Sequence, residues 1–213
     1  MTDAVGLAAA EREALADLLV AVGPDAPTLC EGWTTRDLAA HLVVRQARPD
    51  AQLGIVASPF SGWTERVRRH AARRPYADLV ADVRAGPPWW NPQMIGPVDE
   101  ATNALEYLVH HEDVRRAQPA WVARDLTDED LDEVWKRGVA GARLSLRRSP
   151  VGIALARPGA SPVTVRSGSP LATVLGDPVE LTLWAVGRTS VADVSYSGDP
   201  EALAALASLH PRL

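Results

Sequence analysis

The chain has a single cysteine, Cys30, which excludes an internal disulfide framework and a cysteine-rich zinc site. One thiol suits a reducing compartment. No basic block and no basic, aromatic-laced stripe is present, and the formal net charge is −5 with His neutral. Nucleic acid is therefore not an expected partner. The densest basic cluster, Arg66, Arg68, Arg69, Arg73 and Arg74, reads as a solvated helix face. No apolar run is long enough to span a bilayer. The opening residues Met1, Thr2, Asp3 and Ala4 lack the basic region and apolar stretch of a signal peptide. Together these absences predict a cytoplasmic protein with no membrane partner.

What is there is an ordinary globular composition, nearly half apolar and about a quarter charged over 213 residues, enough to bury a real core. Residues from about Ala4 to Val22 place Leu7, Leu15, Leu18, Leu19 and Val22 at helical spacing. Gly23 and Pro24 end that helix. A second helix starts near Thr34, where Asp37 three residues on forms an Asp version of a capping box and Trp33 is placed as the hydrophobic staple. It ends near Pro49. Two shorter helices are expected over 64–74 and 76–84, with Pro75 as a first-turn proline. Residues 86–97, with four prolines and two glycines, form a loop. Its Trp89 and Trp90 either roof the core or line a pocket mouth.

The third main helix runs from about Val98 to Ala117, with Asp99 and Glu100 at its start and Arg115 and Arg116 at its end, complementing the helix dipole. A fourth follows from about Thr127 to Arg148. Beyond Pro150 the texture changes. Short strands read over 151–156, 162–166 and 171–175, with a helix over 178–186 capped by Asp177. A further strand reads over 191–196, and Asp199 caps a last helix through Leu209. The fold class is thus α+β, mainly α: an antiparallel four-helix bundle over 1–148, followed by a small α+β domain over 149–213.

Chemistry concentrates on the third main helix. Glu106 and His110 are one turn apart on one face. Asp99, Asn103, Glu106, His110 and Asp113 share a stripe opposite Val98, Ala101, Leu105, Leu108 and Val109. Taken alone, the stripe reads as a solvated face. Yet the chain has five histidines, and three lie in the second and third main helices. His41 on the second helix supplies the third donor of a two-His, one-carboxylate set, as in catalytic zinc sites with an open position. Zn²⁺ suits that set, which Ni²⁺ and Fe²⁺ also accept. Asn103 and Asp113 are placed to orient the imidazoles. His111 points about 100° away and reads as an outer or core group. His70 and His210 have no visible partner. Cys30, next to Glu31, reads as a small buried filler rather than a nucleophile. Arg188, after Gly187, is a candidate for binding an anionic substrate or cofactor group, weighed against a surface arginine closing a helix.

Two motifs, Gly32-Trp33-Thr34-Thr35-Arg36-Asp37-Leu38-Ala39-Ala40-His41-Leu42 and Glu106-Tyr107-Leu108-Val109-His110-His111-Glu112-Asp113-Val114-Arg115-Arg116-Ala117, resemble the DinB-like metal-binding helical bundles. The likeness is to the branch of the mycothiol-dependent maleylpyruvate isomerase. The tail over 176–188 resembles the small domain that follows the bundle in that branch. The resemblance implies a four-helix bundle holding a divalent metal through His41, Glu106 and His110, and a low-molecular-weight thiol such as mycothiol bound to that metal as thiolate.

Two functions follow as expectations. One is a metal-dependent, thiol-using transferase or isomerase acting on an electrophilic small molecule. The other is a binding protein whose metal is structural or sensory. An open coordination position distinguishes the first, and a shell completed by Asp113 or His111 the second. The assembly state, homodimer included, is left open by the sequence.

Overall fold

A computed structural model describes residues 6–48 and 61–207. The expectations that fall on Ala4, Pro49, Leu209 and His210 lie outside these residues. The chain divides into two compact units, Met1–Ala123 and Arg124–Leu213.

The first unit is helical. It contains α1 (Leu7–Val22), α2 (Thr35–Ala47), α3 (Ser61–Ala71), α4 (Tyr76–Ala85), a 3₁₀ turn at Pro92–Met94 and α5 (Gly96–Arg115). Helix α1 packs on α5 and α4, and α2 packs on α3 and α4. Leu15, Leu19, Leu38, Leu42, Leu79, Tyr107 and Leu108 are almost fully buried and supply its apolar interior. The Asp37 carboxylate accepts the Thr34 backbone N–H at 3.1 Å, so the capping box read from the sequence starts α2. Pro75 precedes α4 as its N-cap, one position ahead of the first-turn place assigned to it.

The expected solvated arginine face is corrected at Arg68, which is buried. Its guanidinium bonds Asp37 at 2.5 Å and Glu65 at 2.7 Å and lies 4.7 Å from the Trp33 ring centre. The Trp33 ring also meets that of His41, with centres 5.2 Å apart.

The second unit opens with α6 (Asp128–Ser145), followed by β1 (Gly152–Ala156), β2 (Val163–Arg166), β3 (Leu171–Leu175), α7 (Pro178–Ala185), β4 (Ser195–Gly198) and α8 (Pro200–Ala207). The sheet order is β2-β1-β3-β4. β1 runs antiparallel to β2 and parallel to β3, and β3 runs antiparallel to β4. Every residue of the interior strand β1 is buried.

The structure changes the expected boundary at residue 148 and the membership of the fourth bundle helix. Helix α6 belongs to the second unit and packs on α7 and β2. Val139, Ala142 and Leu146 join one core with Ile153, Leu155, Val174, Leu181 and Trp184. The reason is close approach: at Gly138 a Cβ would stand 2.5 Å from Thr182 Oγ1. The last strand is also shorter and later than read, because Val191 and Ala192 donate to the Arg188 carbonyl in a turn.

Gly152 on β1 is a second close approach, since a Cβ there would lie 2.3 Å from the Gly168 carbonyl oxygen. Backbone cannot step aside as a side-chain end can. Gly152→Ala is expected to destabilise the protein by about 1–3 kcal/mol. A denaturant midpoint equal to that of the wild type would contradict this packing.

Among the described residues no helix is long and apolar enough to cross a membrane.

Candidate metal centre

The site is built within the first unit from two helices and one loop. Helix α2 carries His41 and, one turn later, Arg45. Helix α5 carries Glu106 and His110 one turn apart, then Asp113. The loop before α2 is fastened to the end of α5 by Leu29 N–H donating to the Asp113 carbonyl at 2.9 Å. Thr28 Oγ1 accepts the Cys30 N–H at 3.2 Å and donates to the Trp33 carbonyl at 3.0 Å, which presents Cys30 to the α5 stripe.

That stripe is not a solvated face. Asp99, Asn103, His110 and Asp113 are all buried. Glu106 and His41 keep side-chain exposures of 25% and 18%, so the site reaches solvent on their side. Glu106 Oε1 lies 3.3 Å from His41 Nε2 and 3.3 Å from His110 Nε2. The two imidazoles meet edge to face with centroids 5.2 Å apart.

The ligand atoms of His41, Glu106 and His110 all fall within 4.8 Å of one another. Donors about 2.1 Å from a tetrahedral cation are roughly 3.4 Å apart. The two 3.3 Å edges from Glu106 match that figure, so the residues fit a divalent metal.

The other ring nitrogen of His110 faces away from this cluster. Its Nδ1 lies 2.9 Å from Asp113 Oδ2, the carboxylate–imidazole arrangement that fixes a ligand histidine's tautomer. Cys30 Sγ lies 3.3 Å from the same oxygen and 4.0 Å from His110 Nδ1. Cys30, His110 and Asp113 thus form a second group with metal-ligand spacing. The sequence reading of Cys30 as apolar filler is corrected here. The loop fold carries it to a buried carboxylate that sequence distance hides.

Burial by itself would raise the Glu106 pKa. The hydrogen bonds with His110 and His41 and the nearby charges outweigh it, holding the carboxyl well below its ordinary range. Burial by itself would lower the His110 pKa, but the bonds to Asp113, Cys30 and Glu106 hold it well above its ordinary value. His41 is lowered, chiefly by burial.

Arg45 is the residue that sequence reasoning missed. Its Nε lies 3.1 Å from Glu106 Oε1. The only signal available was its place four residues after His41, on the same helix face. Asn103 does not touch an imidazole as expected. It accepts from Arg45 Nη1 and donates to Asp99 Oδ1 at 2.7 Å. His111 is a core group, its Nδ1 2.8 Å from Glu11 Oε2, and His70 is exposed. Trp89 is 84% exposed and Trp90 44%, so neither roofs the core of the first unit. Neighbouring Asn91 is buried and donates to the Gln46 carbonyl at 2.7 Å. Arg188 lies in the second unit after α7, where its Nη1 donates to the Val186 carbonyl at 3.1 Å.

Comparison with known proteins agrees with this architecture. The family profile of the mycothiol maleylpyruvate isomerase N-terminal domain matches residues 8–89. That of the corresponding C-terminal domain matches residues 122–205. Helix α5, with Glu106 and His110, lies between the two matches. A crystal structure of the mycothiol-dependent maleylpyruvate isomerase is similar at 15% identity and TM-score 0.60, with 91% of each chain covered. A histidine-to-alanine mutant of that enzyme matches at 15% identity and TM-score 0.58, again with 91% of each chain covered. At such identity the structures speak for the fold alone. No curated protein sequence matches. Because the two domain profiles follow one another along the chain and together span most of it, the chain belongs to the mycothiol maleylpyruvate isomerase family.

Proposed function

We propose that His41, Glu106 and His110 hold one divalent cation, for which zinc suits the donor set, and that its open position takes a low-molecular-weight thiol of the mycothiol type. The thiol then serves an isomerisation or a transfer to an electrophilic small molecule. The carrying observation is the convergence of two imidazole Nε2 atoms on one Glu106 oxygen, each at 3.3 Å, from two different helices. Family membership supports the thiol.

A thiol with an ordinary pKa of about 8.5 is mostly protonated at neutral pH, and a bound divalent cation would favour its thiolate form. The chain's own residues prepare for this. Asp113 fixes the His110 tautomer, so that Nε2 is the nitrogen turned to Glu106. Arg45 holds Glu106. Neither Asp113 nor His111 stands where it could complete the shell, since Asp113 bonds the far nitrogen of His110 and His111 bonds Glu11. This favours an open position over a closed structural site. Cys30 lies on the Nδ1 side, so the reacting sulfur comes from outside. Arg188 is proposed to bind an anionic group of the thiol or substrate. Thiol chemistry of this kind suits a reducing cytoplasm.

Calorimetry of mycothiol with zinc-loaded protein is the test. The wild type is expected to bind one equivalent, and His41→Ala at least about tenfold more weakly, in keeping with the loss of metal support. Equal affinities for both proteins would replace thiol chemistry with the reading of a non-catalytic metal- and ligand-binding protein.

A further inference from the structure

We propose that Arg45 sets the ligand preference of this centre, making it select an anion over a neutral molecule at the open position. The inference rests on the reading of His41, Glu106 and His110 as metal ligands. Arg45 is largely enclosed, with 16% of its side chain exposed. All three guanidinium nitrogens have acceptors: Nε faces Glu106 Oε1 at 3.1 Å, Nη1 bonds Asn103 Oδ1, and Nη2 bonds the Thr102 carbonyl at 3.0 Å.

The clamp is itself anchored. Asn103 is fully buried and tied to Asp99 at 2.7 Å, and Asp99 accepts from Arg12 at 2.9 Å. This chain of bonds joins α1, α5 and α2 and ends on the Glu106 carboxylate. Held in this way, the planar guanidinium is not placed to turn and grasp a ligand. It acts as a permanent positive charge that does not titrate near neutrality.

The consequence is a matter of charge. Glu106 offsets half of a dication's charge, and Arg45 restores what Glu106 removes. At an effective dielectric of about 20, a unit charge several ångströms from a bound anion changes the anion's affinity by roughly tenfold or more. A neutral ligand is almost indifferent to it. Arg45 therefore favours thiolate over uncharged donors such as an imidazole or a thioether. It is a positioning residue for Glu106 and a specificity residue for the ligand, without touching that ligand.

The test uses cobalt-substituted full-length protein, with azide as the anionic probe and imidazole as the neutral one, both followed by the visible spectrum. Arg45→Gln is expected to bind azide about tenfold more weakly than the wild type, with imidazole affinity unchanged. Arg45→Lys keeps the charge and should keep the azide preference within about threefold. Arg45→Met, which retains the stem's bulk, serves if the glutamine variant does not load. Equal azide-to-imidazole ratios in wild type and neutral variants would overturn the assignment while leaving the metal site intact. If wild-type protein takes up no cobalt, the metal reading falls and this inference with it.

Discussion

His110→Ala protein should emerge from equilibrium dialysis against zinc without bound metal, where the wild type retains one equivalent. In the proposed site His110 is one of three donors and holds the most enclosed position of the cluster, with 10% of its side chain exposed. Losing it removes a first contact to the cation, so the affinity should fall by more than the ~10–100-fold that an outer hydrogen-bond partner contributes. Asp113→Asn measures that outer contribution directly, because the asparagine retains an oxygen but not the charge that fixes the imidazole. Its zinc affinity should fall within that ~10–100-fold range. Circular dichroism separates loss of metal from loss of fold. Zinc retained at one equivalent by His110→Ala would mean that the Nε2 cluster is not the metal site.

The second large effect concerns stability. Glu112 is 1% exposed at its side chain and Arg116 2%. Its two oxygens lie 2.7 Å from Arg116 Nε and 2.9 Å from Arg115 Nη1. Arg116 also lies over the Trp121 ring at 4.6 Å. Breaking such a pair from one side leaves the other charge buried, which costs about 3–5 kcal/mol. Glu112→Ala should lower the urea-unfolding free energy by that amount with the m-value unchanged, and Glu112→Gln by less. A loss below about 1 kcal/mol, typical of exposed pairs, would show that water reaches these groups.

Helix starts and the Glu106–His110 pairing were legible because they are local. Thr34 and Asp37 are three residues apart, and Glu106 and His110 four, so the helical repeat alone sets each pair side by side. The partnership of His41 with that pair was legible from chemistry, since few histidines are available and two-His, one-carboxylate sets bind metals. The position of α6 was not legible. Its capped, amphipathic sequence suits either unit, and the choice falls to Gly138 meeting Thr182 and to Val139 and Ala142 meeting the sheet.

Burial of the polar stripe was hidden for a related reason. Asp99 and Asn103 are polar residues whose partners, Arg12 and Arg45, come from other helices. A single helical wheel shows only the unpaired half. Arg45 itself looks like any arginine in a helix's last turn. Cys30 reaches Asp113 on a loop that the Leu29 backbone bond ties to α5 across a long sequence separation.

X-ray absorption at the zinc edge of singly loaded wild-type protein, without added thiol, tests the central claim most directly. Two imidazole nitrogens and a carboxylate oxygen at about 2.0–2.2 Å, with no sulfur neighbour, are expected for a cation on His41, Glu106 and His110. A sulfur at about 2.3 Å would place the cation on Cys30, His110 and Asp113 instead, and would contradict the proposed site.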